Sequence, residues 1–273
     1  MKVSILIIGT GSIAIRHVKN ILKICSKNVD IHVFSKNSNR SKVFAKKYKI
    51  NYLSNLSSFE INNKKFTHLI IASNTKSHSI YLKKFYKLIK NIYCEKPIPH
   101  DENFNFLKNI SINKKINNNI KIGFQWRFNP TVKFVKKYVS KNIKNIYQID
   151  LNIGQNLKQW RKNYNYKNLK YAGNSKFSGV HWELCHELDI LNFIFSKKIQ
   201  IKSVLNTSNR LSVKVIDIAN TISNSTYEKI IFRISQNMLS PHLMHNIIIY
   251  SMKEILEFDL INNIYFIKKK SNV

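Results

Sequence analysis

The chain runs to 273 residues, 44% hydrophobic and 12% aromatic, which excludes a disordered chain and admits one large domain or two small ones, each with a core. Its formal charge is +32, from 46 basic and 14 acidic residues, yet the lysines are scattered among abundant asparagines and only six of the basic residues are Arg. A nucleic-acid footprint is clustered and favours the bidentate Arg fork, so the charge reads as codon-bias background, and neither nucleic acid nor membrane is expected as a partner.

Residues 3–8 (VSILII) form a short apolar run that ends at Gly9, and GTGSIA then leads into the amphipathic IRHVKNILKIC. Strand, glycine turn and helix are the setting in which G-x-G-x-x-G/A holds a dinucleotide. Gly9 allows the tight turn, Gly11 lets the backbone approach a pyrophosphate, and Ala14 fills the third, small-residue slot. Ser12 and Ile13 open the helix, whose N-terminus offers N–H donors and partial positive charge to phosphate.

DIHVF (30–34) reads as a second strand, SNRSKVFAKKY as a helix and INYL (50–53) as a third strand. HLIIAS (68–73), NIYCE (91–95) and KIGFQ (121–125) continue the series, with helices through KSHSIYLKKFYKLI and from Asp101 onward. Such alternation means a parallel, doubly wound sheet with ligands at the C-terminal strand ends. At the end of the second strand an NAD site usually carries Asp or Glu for the ribose 2′-hydroxyl. Here Phe34 is followed by Ser35, Lys36 and then Arg40, while Asp30 stands at the wrong end of the strand, about 13 Å away at the usual rise. A hydroxyl with two cations suits a 2′-phosphate, so NADP is expected, with NAD as the other possibility.

Beyond residue 196, IQIKSVLNT, VKVIDIANTI, YEKIIFRIS, HNIIIYS, EILEFDL and IYFIKKK alternate or are β-branched, and Asn/Ser turns separate them. These are the strands of a second sheet. The three cysteines (Cys25, Cys94, Cys185) are odd in number and far apart, as free thiols in a reducing compartment would be. With no 18-residue apolar run and no leader-type N-terminus, a soluble cytoplasmic protein is expected.

Several stretches together resemble the Gfo/Idh/MocA family of NAD(P)-dependent sugar oxidoreductases. They are CEKP (94–97) after the fifth strand, the Arg16–His17 pair, ASNTKSH (72–78), GFQWRFNP (123–130) and GVHWELCHELD (179–189). The likeness covers most of residues 1–195, and MKEILEFDL (252–260) is similar to a late strand of the family. It implies a Rossmann domain (1–122) followed by an α+β domain (123–273) for substrate and oligomerisation, with a large, open, mostly antiparallel sheet. That sheet often forms the family's subunit interface, so a homo-oligomer is expected. The sub-group most resembled acts on sugars or sugar nucleotides in surface-polysaccharide pathways, with a W-R…Y-R segment ahead of the histidine motif. Here that segment is QWRKNYNYK (159–167). The resemblance implies cofactor contacts from Ser73, Asn74, Thr75, His78, Glu95 and Lys96. It implies substrate contacts from Lys96, Trp126, Arg127, Trp160, Arg161 and His186.

Oxidising a secondary alcohol needs a base within reach of the hydroxyl proton and a cation near the developing alkoxide. Lys96 is expected to supply the cation and His186, with its near-neutral pKa, the acid/base. Three acids and two histidines crowd into GVHWELCHELD, in a chain with 14 acids and 9 histidines in all. On one helix starting near residue 180, Trp182, Cys185, His186 and Asp189 share a face, and Asp189 is expected to orient the imidazole. Glu183 matches an E-x-x-H sub-pattern of the family, although its commoner Asp position holds Trp182. A metal site on His181, Cys185 and His186 is disfavoured by the spacing. Two further departures are Asn74 where Pro is usual, and an end at Val273 without the family's final helical segment. The alternative to an enzyme is therefore a catalytically lapsed dinucleotide-binding module with a regulatory or scaffold role.

Overall fold

Six short strands, most of them rich in Ile, Leu and Val, pair side by side in the first half of the chain, all in parallel. In the computed structural model they are β1 (Val3–Ile8), β2 (Val29–Phe34), β3 (Asn51–Tyr52), β4 (His68–Ile71), β5 (Asn91–Cys94) and β6 (Asn119–Ile122). Their order is β3-β2-β1-β4-β5-β6, so the winding reverses between β1 and β4, where doubly wound sheets bind ligands. The structure describes residues 3–25, 28–57, 64–99, 105, 106, 109, 119–160, 165–168, 178–195, 199–224 and 229–269. The helix expected from Asp101 onward lies largely outside them, as does Arg161.

The chain divides into two compact units, Met1–Gly123 and Phe124–Val273. In the first, helices α1 (Ser12–Cys25), α2 (Ser38–Tyr48) and α3 (His78–Phe85) accompany the sheet. Both faces of β1 are buried: Leu6 and Ile8 pack with Leu69, Phe85 and Ile92, while Ile5 and Ile7 pack with Ala14, Val18 and Phe44. Each such fully buried side chain contributes about 1.5–3 kcal/mol. Asn37 caps α2 by accepting from the Arg40 N–H, and Lys49 ends it in a left-handed conformation.

The second unit is built on a seven-stranded sheet ordered β13-β12-β11-β7-β10-β9-β8. Its strands are β7 (Ile146–Gly154), β8 (Gln200–Asn206), β9 (Ile218–Asn224), β10 (Ile231–Asn237), β11 (Met244–Ser251), β12 (Glu254–Asp259) and β13 (Ile264–Lys269). Only β7 and β10 pair in parallel; the other pairs are antiparallel. The expected α/β fold, a parallel Rossmann sheet and a large, mostly antiparallel one, is therefore present. The central strand β7 and the helix α4 (Pro130–Asn142) before it were not anticipated. Their signals are nonetheless ordinary. Asn129 caps α4 over Val132 N–H with Pro130 in its first turn, and Val132, Val135 and Val139 form its buried stripe. Ile149, Leu151 and Ile153 alternate inward along β7.

The single helix expected from residue 180 is two helices, α5 (Val180–Glu183) and α6 (His186–Phe195). Leu184 leaves helical geometry (φ −102, ψ 38). Its carbonyl accepts from the Gln236 side-chain amide of β10, which replaces the donor of a continued helix. Trp182 and Asp189 therefore do not share one continuous helical face.

Candidate active site

In the first unit the glycine turn follows β1. Gly9 has φ +126, and a Cβ there would lie 2.2 Å from the Ala72 carbonyl oxygen, so only glycine lets β1 approach the end of β4. Two backbone bonds fasten the end of β1 to its neighbours: Gly9 N–H to Phe34 O and Ala72 N–H to Ile8 O, both 2.8 Å. Gly11 is the opposite case, because a Cβ there would meet nothing within 4 Å. The space above it is open, which fits a pyrophosphate passing over the turn. The first internal bond of α1 runs from Ile15 N–H to Gly11 O, so the amides of its opening turn, with Ser12 and Ile13, precede the helical ladder. No acid stands in that turn, and Ala14 is fully buried in the helix–sheet contact. These residues fit a dinucleotide.

At the end of β2, the Ser35 hydroxyl donates to Asn37 O at 2.7 Å and lies 2.9 Å from the Ser41 hydroxyl. Lys36 and Arg40 are exposed beside it, and among the described residues neither forms an ion pair. Asp30, at the start of the strand, accepts from Asn51.

After β4 come Ser73, Asn74 and Thr75. Asn74 has φ −73 and ψ 153, values a proline also takes, so the departure from the family's proline leaves the backbone path intact. The Ser77 hydroxyl crosses back to Ser73 Oγ at 2.8 Å and Asn74 O at 2.9 Å. His78 lies behind this loop, 1% exposed. Its Nδ1 is 2.8 Å from Pro97 O and its Nε2 3.1 Å from Ser73 O. Burial pushes its pKa down, against the pull of the two carbonyls.

The Glu95-Lys96-Pro97 turn follows β5, with a cis bond between Lys96 and Pro97. Glu95 is held by His17 of α1, Nε2 to Oε1 at 2.7 Å, and the Tyr93 hydroxyl donates to the same oxygen at 3.4 Å. The His17 ring stands edge-on to Tyr93, centroids 5.1 Å apart. Burial, and then the Glu95 charge, push the Tyr93 phenol up, so it stays a donor. Gly123 makes room for this cluster, since a Cβ there would lie 2.5 Å from the Tyr93 hydroxyl and 3.1 Å from Glu95 Oε2. Sequence reading used His17 only as a mark of resemblance and missed Tyr93 and Gly123. The available signal was a histidine one turn after a glycine-rich phosphate loop.

In the second unit, the segment after Phe124 is fastened to α6 and the sheet at three points. Phe124 stands edge-on to His186, centroids 6.2 Å apart. Trp126 stands edge-on to His245 at 4.4 Å. Arg127 donates to both oxygens of Asp189, Nε to Oδ2 at 2.8 Å and Nη2 to Oδ1 at 2.5 Å. That bond is the chief reason the guanidinium pKa is raised. His186 is 7% exposed at the start of α6. Glu187, fully buried, lies 2.9 Å from His245 Nε2, out of line for a good hydrogen bond, and 3.3 Å from the Gln236 amide. Two of the acids in GVHWELCHELD thus have structural partners, Arg127 and His245. Glu183 closes α5, half-buried, and Trp160 follows the turn Leu157–Gln159 and packs against the core cluster that includes Leu157, Val180 and Leu211. Among the described residues, no three His, Cys, Asp or Glu side chains group as metal ligands would. No helix there is long and apolar enough to cross a membrane.

Residues 3–112 match the family described as "Oxidoreductase family, NAD-binding Rossmann fold". No curated protein matches the sequence. Among solved structures, the chain is similar to the WlbA dehydrogenase of Chromobacterium violaceum, solved with NADH and UDP-GlcNAcA. There the TM-score is 0.81 at 16% identity, covering 100% of this chain and 79% of that one. The WlbA dehydrogenase of Bordetella pertussis, in complex with the same two molecules, gives 0.82 at 15% identity, with coverage of 100% and 78%. UDP-N-acetylglucosamine 3-dehydrogenase GnnA of Acidithiobacillus ferrooxidans gives 0.75 at 12%, with coverage of 99% and 81%. At these identities the likeness is one of fold. Over residues 3–112 the chain is thus similar to the Gfo/Idh/MocA oxidoreductase family, whose fold is an NAD-binding Rossmann domain, and the glycine turn with the open space above Gly11 agrees with that match.

Proposed function

We propose that the protein is an NAD(P)-dependent oxidoreductase that moves a hydride between nicotinamide and a secondary alcohol or ketone of a sugar nucleotide. The observation that carries the reading is the set of three loops at the C-terminal ends of β1, β4 and β5. Ala72 N–H to Ile8 O ties the second to the first and His78 ties the second to the third, which carries Lys96. A nicotinamide cofactor bound there accepts or supplies the hydride. The chain's own residues do the rest. The α1 N-terminus and Gly11 hold the pyrophosphate. Lys96 places positive charge at the reacting oxygen and favours the alkoxide over the alcohol. His186 takes the hydroxyl proton in the oxidative direction and returns it in the reductive one.

Two exposed cations, Lys36 and Arg40, and no acid at the end of β2 support NADP as the preferred cofactor. The similar WlbA structures hold NADH, which keeps NAD as the second reading. The sugar-nucleotide class is supported by the same two structures, and Trp126, Arg127, Trp160 and Arg161 are the contacts this reading assigns to it. A surface-polysaccharide role, cytoplasmic location and homo-oligomerisation through the second sheet belong to this reading. The test is reduction of NAD and NADP, followed at 340 nm, with UDP-GlcNAcA and UDP-N-acetylglucosamine as probes. Turnover of either supports it. Tight cofactor binding without turnover of any sugar nucleotide favours the non-catalytic module.

A further inference from the structure

The Glu95-Lys96-Pro97 turn is gripped on both sides by histidines from different helices. On one side His17, from α1, holds the Glu95 carboxylate at 2.7 Å. On the other His78, from α3, holds the Pro97 carbonyl at 2.8 Å and reaches the Ser73 carbonyl at 3.1 Å. Lys96 lies between the two held residues. We infer that His17 and His78 are positioning residues for Lys96, His17 acting through the Glu95 side chain and His78 through the backbone of Pro97.

Three features make this more than a pair of ordinary contacts. His17 and His78 lie on the helices that follow the loops after β1 and β4, the loops assigned above to the cofactor, so the helices that would open the nucleotide site also set the turn. The Glu95 carboxylate is shared by two donors, His17 and Tyr93, and a carboxylate with two donors has little rotational freedom left. Gly123 leaves the space that Tyr93 and Glu95 fill, and any side chain there would displace one of them. His78 in turn joins the loop after β4 to the loop after β5. The charged groups around the clamp are Glu95 and Lys96, both of which act on His78. A lysine whose neighbours on both sides are fixed loses less freedom when it engages an oxygen, which is the source of a preorganised cation's advantage.

The inference rests on Lys96 being functional, and a double-mutant cycle separates the two ideas. The probes are NADPH and NADH, whose dissociation constants are read by fluorescence, and UDP-GlcNAcA for turnover. Thermal melts of each variant confirm that it is folded. Lys96→Met tests the underlying reading by itself: if neither cofactor affinity nor turnover changes, Lys96 has no role and the clamp has nothing to position. If Lys96→Met does have an effect, His17→Ala is made in both backgrounds. The expected result is a loss with Lys96 present that shrinks by about fivefold or more in the Lys96→Met protein, the signature of coupled residues. His17→Gln, which keeps a donor toward Glu95, should recover most of the loss. Tyr93→Phe, which leaves the ring in place and removes only the second donor, should give a smaller loss in the same direction. Equal losses from His17→Ala in both backgrounds, or no recovery with Gln, would overturn the inference while leaving the role of Lys96 standing.

Discussion

Arg127 and Asp189 form a two-pronged ion pair that ties the segment following Phe124 to the first turn of α6, with the Asp189 side chain 5% exposed and Arg127 40% exposed. The pair engages the carboxylate expected to orient His186, so Asp189 acts first as an anchor of the helix on which His186 stands. Arg127→Met should destabilise the second unit by about 1–2 kcal/mol, a buried-pair cost reduced because Arg127 is partly in water. Asp189→Asn should lower the melting temperature similarly and turnover less than loss of His186. A melt unchanged by both variants would contradict the anchoring role.

The two glycines of the turn should separate stability from binding. Gly9→Ala puts a Cβ 2.2 Å from the Ala72 carbonyl at φ +126. It should cost about 2–4 kcal/mol by strain and clash. Gly11→Ala meets no protein atom within 4 Å, so its melting temperature should match the parent while cofactor affinity falls. Melts and cofactor titrations on the two variants check this, and a large loss of stability in Gly11→Ala would refute it.

Cofactor choice should follow the end of β2. If Lys36 and Arg40 hold a 2′-phosphate, NADPH binds more tightly than NADH. The Lys36→Ala/Arg40→Ala double variant should then lose about tenfold or more in NADPH affinity, as charge-assisted contacts imply, with NADH little changed. Equal affinity of the parent protein for the two cofactors would return the site to NAD.

Replacing His186 with Ala should reduce turnover by about 10²–10⁴-fold, the usual worth of a general acid or base, with cofactor affinity nearly unchanged. Steady-state kinetics on whichever sugar nucleotide is turned over, from pH 6 to 9, supplies the test. Near-parental turnover across that range would make the histidine structural.

Acid should weaken the fold through its buried histidines. Burial lowers the pKa of His78 and of His181 below the usual 6.5. The unfolded chain therefore binds more protons than the folded one between pH 6.5 and the depressed values, and stability rises with pH across that window. Melting temperatures should fall as pH drops below about 6.5, and His78→Gln should show a shallower fall from a lower starting point. A melting temperature that is flat from pH 7.5 to 5 would exclude this linkage.

Local chemistry was enough to recognise the first unit from its sequence. The run VSILII into GTGSIA, strands repeating at short spacing, and Glu95-Lys96-Pro97 after the fifth strand are signals confined to a few neighbouring residues. Steric and hydrogen-bonding rules act at that range. The second sheet was legible for the same reason, as β-branched runs between Asn and Ser turns. Its central strand β7 was not, because Gln148, Asp150 and Asn152 alternate with its apolar residues and mask its burial. Asp150 is nonetheless 2% exposed, and Arg233 of the parallel neighbour β10 grips it at 2.7 Å. The break between α5 and α6 was equally invisible, since it depends on Gln236, 52 residues away, reaching the Leu184 carbonyl. Asp189 and Glu187 follow the same rule. Spacing could place them on a helix beside His186, but Arg127 and His245, 62 and 58 positions distant in the sequence, set their roles. Sequence by itself determined which loops and helices form around a dinucleotide. Tertiary structure decided what each buried charge is paired with, because such a charge is stable only beside a partner that the folded chain brings to it.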